Sequence, residues 1–335
     1  MGKKVAVAKG QTRYETVKKA LEYIKDEIVK DIYGKNNLII KPNLVSSYRQ
    51  LASTHIDTIK AIFDFIKKHY NGKISIAEGS ATNTITAFKN FGYIQFAQEN
   101  RIELFDLNQD NYREIMVYDS GYNKIPVRVS KKILESDYRI SSAILKTHDT
   151  VIATLSIKNM VVGSILQADK HRIHQGYKAI NLNIYKIAKH VWPQLAIIDG
   201  FIAMEGDGPV SGTPVEMGTA IASTDPLAAD TVGAYIMGFD PNEIGYLHYL
   251  KMAGIGEGNL DKIEILGEKL ENVRRQCELP PAFAGGFLLP RTDSISTHPQ
   301  RRSRQVRPFQ RSPCGRWVTE VLPSAGVSFG LFHAY

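Results

Sequence analysis

Thiols are scarce. The 335-residue sequence holds two cysteines, Cys277 and Cys314, and residues 1–276 contain none. That absence removes disulfides, thiolate zinc sites and an intrinsic iron–sulfur cluster from most of the chain. A divalent metal there has to be held by His, Asp or Glu, or arrive within a metallocofactor. Long apolar runs are also missing. No stretch approaches the roughly 20 residues that span a bilayer, and Lys9 and Gly10 interrupt the apolar start too soon for a secretory core. The expectation is a cytoplasmic protein with no membrane association. Several catalytic signatures are lacking too: a GxSxG elbow, a GxxxxGK[ST] phosphate loop, HExxH, and GxGxxG after the first strand. Gly254-Ile255-Gly256-Glu257-Gly258 is glycine-rich but leads into a polar turn, so it reads as a loop.

The net charge of +8 is unevenly placed. From Pro280 onward there are seven Arg, no Lys and two acids, Asp293 and Glu320, which supply +5 of the total. The body is nearly balanced, which argues against nucleic acid as its partner. Residues 280–335 are rich in Arg, Pro and Ser without helical or strand periodicity, and read as an irregular, disordered tail. So abrupt a change in usage is also what a frameshift or a chimeric gene would leave.

In the body, apolar β-branched runs alternate with amphipathic segments, the pattern of an α/β fold with a predominantly parallel sheet flanked by helices. Strands are predicted at 4–8, 38–40, 74–77, 102–105, 138–145, 195–198, 219–222 and 263–266. Helices are predicted at 16–29, 57–68, 129–135, 179–191, 226–237 and 244–253. At this length two lobes with a cleft are expected, 1–130 and 131–279. An inserted excursion at 106–127 is an equally good reading.

Ligands of open α/β sheets bind beyond the carboxyl ends of strands, and polar residues gather there. Leu38-Ile39-Ile40 runs into Lys41-Pro42-Asn43, Ile76-Ala77 into Glu78-Gly79-Ser80, and Ile144-Leu145 into Lys146-Thr147-His148. Ile197-Ile198 runs into Asp199-Gly200, and Ile221-Ala222 into Ser223-Thr224-Asp225-Pro226, where Asp225 also reads as a helix N-cap. Between these lie Ser156-Ile157-Lys158-Asn159, Lys170-His171-Arg172-Ile173-His174 and Glu205-Gly206-Asp207-Gly208-Pro209.

In combination these motifs resemble the uncharacterised domain-of-unknown-function family numbered 362, over about residues 3–270. The resemblance rests on Lys41-Pro42-Asn43, Lys146-Thr147-His148, Lys158-Asn159 with Gly163, Lys170 and His174, Glu205-Gly206-Asp207-Gly208-Pro209, and Asp225-Pro226-Leu227-Ala228-Ala229-Asp230. It implies the α/β fold. Many members also carry a ferredoxin-like cluster module, for which this chain has no CxxC.

Four lysines near loop ends point together to a small anionic ligand, a carboxylate or a phosphate, although any one lysine alone reads better as solvated or paired. The expected anion-binding set is Lys41, Asn43, Glu78, Ser80, Lys146, Asn159 and Lys170. The expected catalytic set is His148, His174, Glu205 and Lys158. His171 and His174, three apart, with Asp199 form a candidate metal set, though HxxH is more often incidental. His55 reads as a further base or as a cap of the following helix. An enzyme of isomerase or racemase type, or a redox-associated one, is the leading expectation. A loose similarity in layout to nickel-pincer hydroxy-acid racemases makes that reaction one to test. The competing expectation is a non-catalytic anion- or metallocofactor-binding protein that serves a redox or maturation partner.

Overall fold

All eight predicted strands form, and three more appear. In the computed structural model, which describes residues 2–284, the strands are β1 (Lys3–Lys9), β2 (Asn37–Lys41), β3 (Lys73–Glu78), β4 (Glu103–Asp106), β5 (Tyr112–Tyr118) and β6 (Lys124–Ser130). They continue with β7 (Tyr138–His148), β8 (Ile152–Thr154), β9 (Leu195–Glu205), β10 (Thr213–Ser223) and β11 (Ile263–Gly267). Nine strands make one sheet in the order β11-β1-β10-β9-β7-β2-β3-β4, with β8 added beside β7. The sheet is parallel except for β10, antiparallel to β1 and β9, and β8, antiparallel to β7.

Strand side chains alternate between faces, and here both faces are apolar. Val5 and Val7 of β1 enter one hydrophobic cluster while Ala6 and Ala8 enter another; Ala196 and Ile198 of β9 divide from Leu195 and Ile197 in the same way. Helices Arg13–Tyr23, Lys25–Ile32, Ile56–Lys67, Thr84–Asn90 and Tyr93–Asn100 cover one face. Helices Ser156–Ser164, Tyr177–Val191, Pro226–Ile236 and Gly245–Met252, with the β5–β6 hairpin, cover the other.

This layering corrects the expected division into lobes at residue 130. β1 lies between β10 and β11, pairing Ala6 with Ala222 and Val5 with Ile265, and Met1–Leu289 forms one compact unit. The two halves of the sequence differ in which face of a shared sheet their helices cover. The excursion at 106–127 exists as the hairpin, and it takes up Val129 and Ser130, so the helix predicted there shortens to Lys131–Leu134. The tail predicted at 280–335 lies, beyond residue 284, outside the described residues.

From β2 the chain steps through β3 and β4 toward one edge; from β7 it steps through β9 and β10 toward the other. The connections therefore reverse between β2 and β7. At such a reversal the loops after adjacent parallel strands diverge and leave a crevice.

Candidate functional site

The crevice is walled by the ends of β2, β3 and β7. Lys41, the last residue of β2, is fully buried. Its Nζ donates to Pro42 O (2.9 Å), Glu78 Oε1 and Oε2 (3.2 and 3.0 Å) and Asn159 Oδ1 (2.9 Å), which satisfies every ammonium proton. Glu78 Oε2 also accepts from Leu44 N (3.3 Å). The lysine reaches this position because Gly163 is bare: a Cβ there would overlap Lys41 Cε and Nζ.

The helix Ser156–Ser164 carries Lys158 and Asn159 to the same place. Its first turn has no side-chain cap of its own. Instead Asp230, from the helix Pro226–Ile236, accepts from Ser156 N (2.8 Å), Ser156 Oγ (2.5 Å) and Ile157 N (3.0 Å). A carboxylate at a helix N-terminus satisfies free amides and opposes the dipole. At the other end, Lys170 Nζ donates to Val162 O and Ile165 O, both at 2.6 Å, and so ties down the last turn. His174 follows within one turn, its Nδ1 2.7 Å from Lys170 O.

A cavity of about 150 Å³ opens between these elements, lined by Asn43, Glu78, Lys146, His148, Thr154, Lys158, Asn159, Lys170, His174 and Pro209, among others. It is smaller than the roughly 300–1,000 Å³ of sites for drug-sized ligands. Three polar groups on its wall lack partners. Asn43 Oδ1 and Thr154 Oγ1 are buried without a hydrogen bond, and Lys158, 6% exposed, meets no acceptor or carboxylate among the described residues. Buried polar groups are nearly always satisfied, so two such atoms beside an amine without a partner among the described residues mark a place where something else binds. Lys146 Nζ has one bond, to Ala52 O at 2.8 Å.

Burial is the first cause of every shift here. It drives Lys146 well below the usual lysine range, with the Lys158 charge adding to it. Lys158 falls to about 7 by burial, Asp149 opposing and the Lys41 charge adding. Lys170 falls to about 7 by burial, against the pull of Glu78. His148 falls to about 3 by burial and the Lys158 charge, and His174, solvent-exposed as a residue although it lines the cavity, is lowered by enclosure of its ring and the same charge. Both imidazoles are therefore neutral at pH 7. The carbonyl at His174 Nδ1 can only accept, which places the proton on Nδ1 and leaves Nε2 basic. His148 Nδ1 accepts from Thr150 N (3.1 Å), which places the proton of the neutral ring on Nε2; the same Nδ1 lies 2.9 Å from Asp149 Oδ1. The two rings stack with centroids 6.5 Å apart.

Residues 38–235 match the sequence profile of the family described as Domain of unknown function (DUF362). The chain belongs to that family. A thylakoid-associated protein of Synechocystis sp. is 27% identical over 264 residues, covering 76% of this chain and 80% of that one. Among solved structures, the lactate racemase apoprotein from Thermoanaerobacterium thermosaccharolyticum is similar at 16% identity and a TM-score of 0.48. That likeness covers 70% of this chain and 57% of the racemase chain, so this chain spans less than two thirds of its length. Among the described residues no helix is long and apolar enough to cross a membrane. The DUF362 match encloses every residue that lines the cavity.

Of the residues expected to act, Asn43, Glu78, Lys146, His148, Lys158, Asn159, Lys170 and His174 converge on this cavity. Others do not. Lys41 stands behind the wall with its protons committed, so it is a strut and not an anion ligand. Ser80 spends its hydroxyl on Thr82. Glu205 accepts from Glu278 N (3.0 Å), lies 3.7 Å from Arg275 and is absent from the lining, which corrects its assignment to catalysis. The metal set His171, His174 and Asp199 does not assemble. Asp199 is held by Arg13 Nε (2.9 Å) and Thr58 Oγ1 (2.6 Å), His171 is exposed, and no group of three His, Cys, Asp or Glu stands together among the described residues. His55 caps the helix Ile56–Lys67 through Asp57 N, and Asp225 caps Pro226–Ile236. Thr154 was missed, because a three-residue strand has no periodicity to read. Asp230 was visible in its motif, but its role depends on a contact 74 residues away in sequence.

Proposed function

We propose that this protein is an enzyme acting on a small anionic substrate, a carboxylate or phosphate, by Lys/His acid–base chemistry in the cavity. The observation that carries this reading is the buried, unpartnered pair Thr154 Oγ1 and Asn43 Oδ1 on a wall shared with Lys146, Lys158 and Lys170. The one carboxylate in that lining, Glu78, is tied to Lys41. Without a ligand, several amines share a buried space with little countercharge, and shedding protons is how they lower that cost. A bound anion reverses the balance and favours the ammonium at Lys146 and Lys170. The basic Nε2 of His174 can take a proton from a carbon beside the anionic group, and the Nε2–H of His148 can return one. Proton exchange of this kind is the elementary step of isomerases and racemases, the class this reading favours.

Calorimetry with lactate and with inorganic phosphate measures the anion site, and deuterium wash-in from heavy water over a panel of 2-hydroxy acids measures proton abstraction. Exchange that disappears in His148→Ala and His174→Ala, with affinity changed by less than about threefold, is the expected result. A non-catalytic carrier gives no exchange and weaker binding in both variants. Failure of every anion to bind refutes the proposal. A cytoplasmic location belongs to the same proposal, and the name of the Synechocystis relative points to the competing one, a peripheral thylakoid association. Fractionation of the source cells decides between them.

A further inference from the structure

We propose that Lys158 is a nucleophilic amine that forms an imine with the carbonyl of a small 2-oxo acid, with the substrate's carboxylate held by the Lys146 and Lys170 side of the cavity. The proposal rests on the anion-site reading above and adds a substrate class and a covalent step.

Three features separate Lys158 from the other buried lysines. Lys41 has four oxygen partners, Lys170 has two helix carbonyls and Lys146 has the Ala52 carbonyl. Lys158 has none among the described residues, yet it lines the cavity at 6% exposure. An amine with no acceptor to give its protons to is the one most ready to act through its lone pair. Its backbone is fixed: Asp230 clamps the first turn of its helix and Lys170 the last, so the amine is presented from a rigid element. Its surroundings also favour the neutral form, since burial outweighs the pull of Asp149 and the Lys41 charge adds to its effect, the arrangement that activates imine-forming lysines.

A 2-oxo acid matches the wall group by group. The carboxylate answers the ammonium groups, and Thr154 Oγ1, lacking a partner, can donate to the carbonyl oxygen. In the first step the Lys158 nitrogen lone pair attacks the carbonyl carbon. A C–N bond forms, the C–O π bond breaks, and the oxygen takes up a proton while the nitrogen loses one. In the second step the protonated oxygen leaves as water and the nitrogen lone pair forms the C=N bond. One amine, one ketone and one proton thus give one protonated imine and one water, with no oxidant or reductant. His148 and His174 line the same cavity and are placed to relay those protons.

The test uses the full chain at pH 7 with pyruvate and sodium cyanoborohydride, followed by peptide mapping. The expected result is one reduced pyruvyl adduct per chain, on Lys158, with labelling suppressed by lactate, which has the carboxylate but no carbonyl. Labelling should rise several-fold as the pH passes from 6 to 8. Adducts scattered over exposed lysines with no enrichment at Lys158 overturn the proposal. Pyruvate and lactate that bind equally by calorimetry while Lys158 stays unlabelled overturn the imine and leave the anion site standing. If neither binds, both readings fall. Lys158→Arg, which keeps the charge, should abolish the adduct; should that variant not fold, the map of the unaltered chain decides alone.

Discussion

Substituting Glu78 by Gln tests whether the buried Lys41 is an ammonium held by a carboxylate. The change keeps the size of the side chain and removes one charge from a pair with 3.0 Å between Nζ and Oε2, both groups being almost wholly shielded from water. Breaking a buried pair by neutralising one partner leaves the other charge uncompensated, at a cost of about 3–5 kcal/mol. Asn159 Oδ1 and Pro42 O still accept from Lys41, which favours the lower end. For a unit the size of Met1–Leu289, an unfolding entropy of about 2.1 cal/mol/K per residue gives roughly 0.6 kcal/mol/K, so Tm should fall by about 5–8 °C. Differential scanning calorimetry at pH 7 measures it. The double change Lys41→Met with Glu78→Gln removes both charges and should recover part of the loss. If Glu78→Gln melts within 1 °C of the unaltered chain, the amine at Lys41 is neutral in the fold and the strut is a hydrogen-bonded one without an ion pair.

Two further outcomes follow from the site. Lys158 and Lys170 each titrate near 7, below their unfolded value of about 10.4, so the folded chain lacks a proton that the unfolded chain holds between those pH values. Each therefore adds stability as the pH rises from about 7 toward 10, and an anion that needs the ammonium should bind up to tenfold more weakly per pH unit above 7 for each lysine it engages. Titration calorimetry in buffers of different ionisation enthalpy should register proton uptake at pH 7.5; binding with no uptake and a flat pH profile would falsify this. Asp230→Ala removes three accepted hydrogen bonds from the start of the Lys158 helix, which should cost about 1–3 kcal/mol and lower Tm by about 2–5 °C. Amide exchange should quicken at Ser156 and Ile157 first, and Asp230→Asn should fall between; exchange that stays unchanged there sinks the capping argument.

Much of the fold was open to reading because its causes are local. Apolar runs such as Ile39-Ile40 and Ile197-Ile198 are buried on both faces, and amphipathic stretches such as Ile56–Lys67 bury a single stripe, so strand and helix type follow from spacing alone. The polar residues after Ile40, Ala77 and Leu145 were legible for the same reason, since a parallel sheet exposes its carboxyl ends to loops. The grouping of helices was not. Residues 1–130 and 131–279 looked like separate lobes, but alternation along β1 and β9 sends neighbouring side chains into different cores, and only pairing across the whole chain decides that these cores share one sheet.

The sequence by itself determined the element types, the strand-end position of the polar motifs, and the family-level pattern that includes Lys146, His148, Lys158 and His174. Tertiary structure alone decided which lysine is a strut and which is free. Lys41 and Lys158 both stand beside apolar residues and cannot be told apart by spacing. One is quenched by Glu78 and by Asn159, 118 positions away, and the other faces a cavity with no partner among the described residues. Hydrogen-bond satisfaction and burial are properties of what the chain brings together, and for a charged side chain those two quantities set its protonation and hence what it can do.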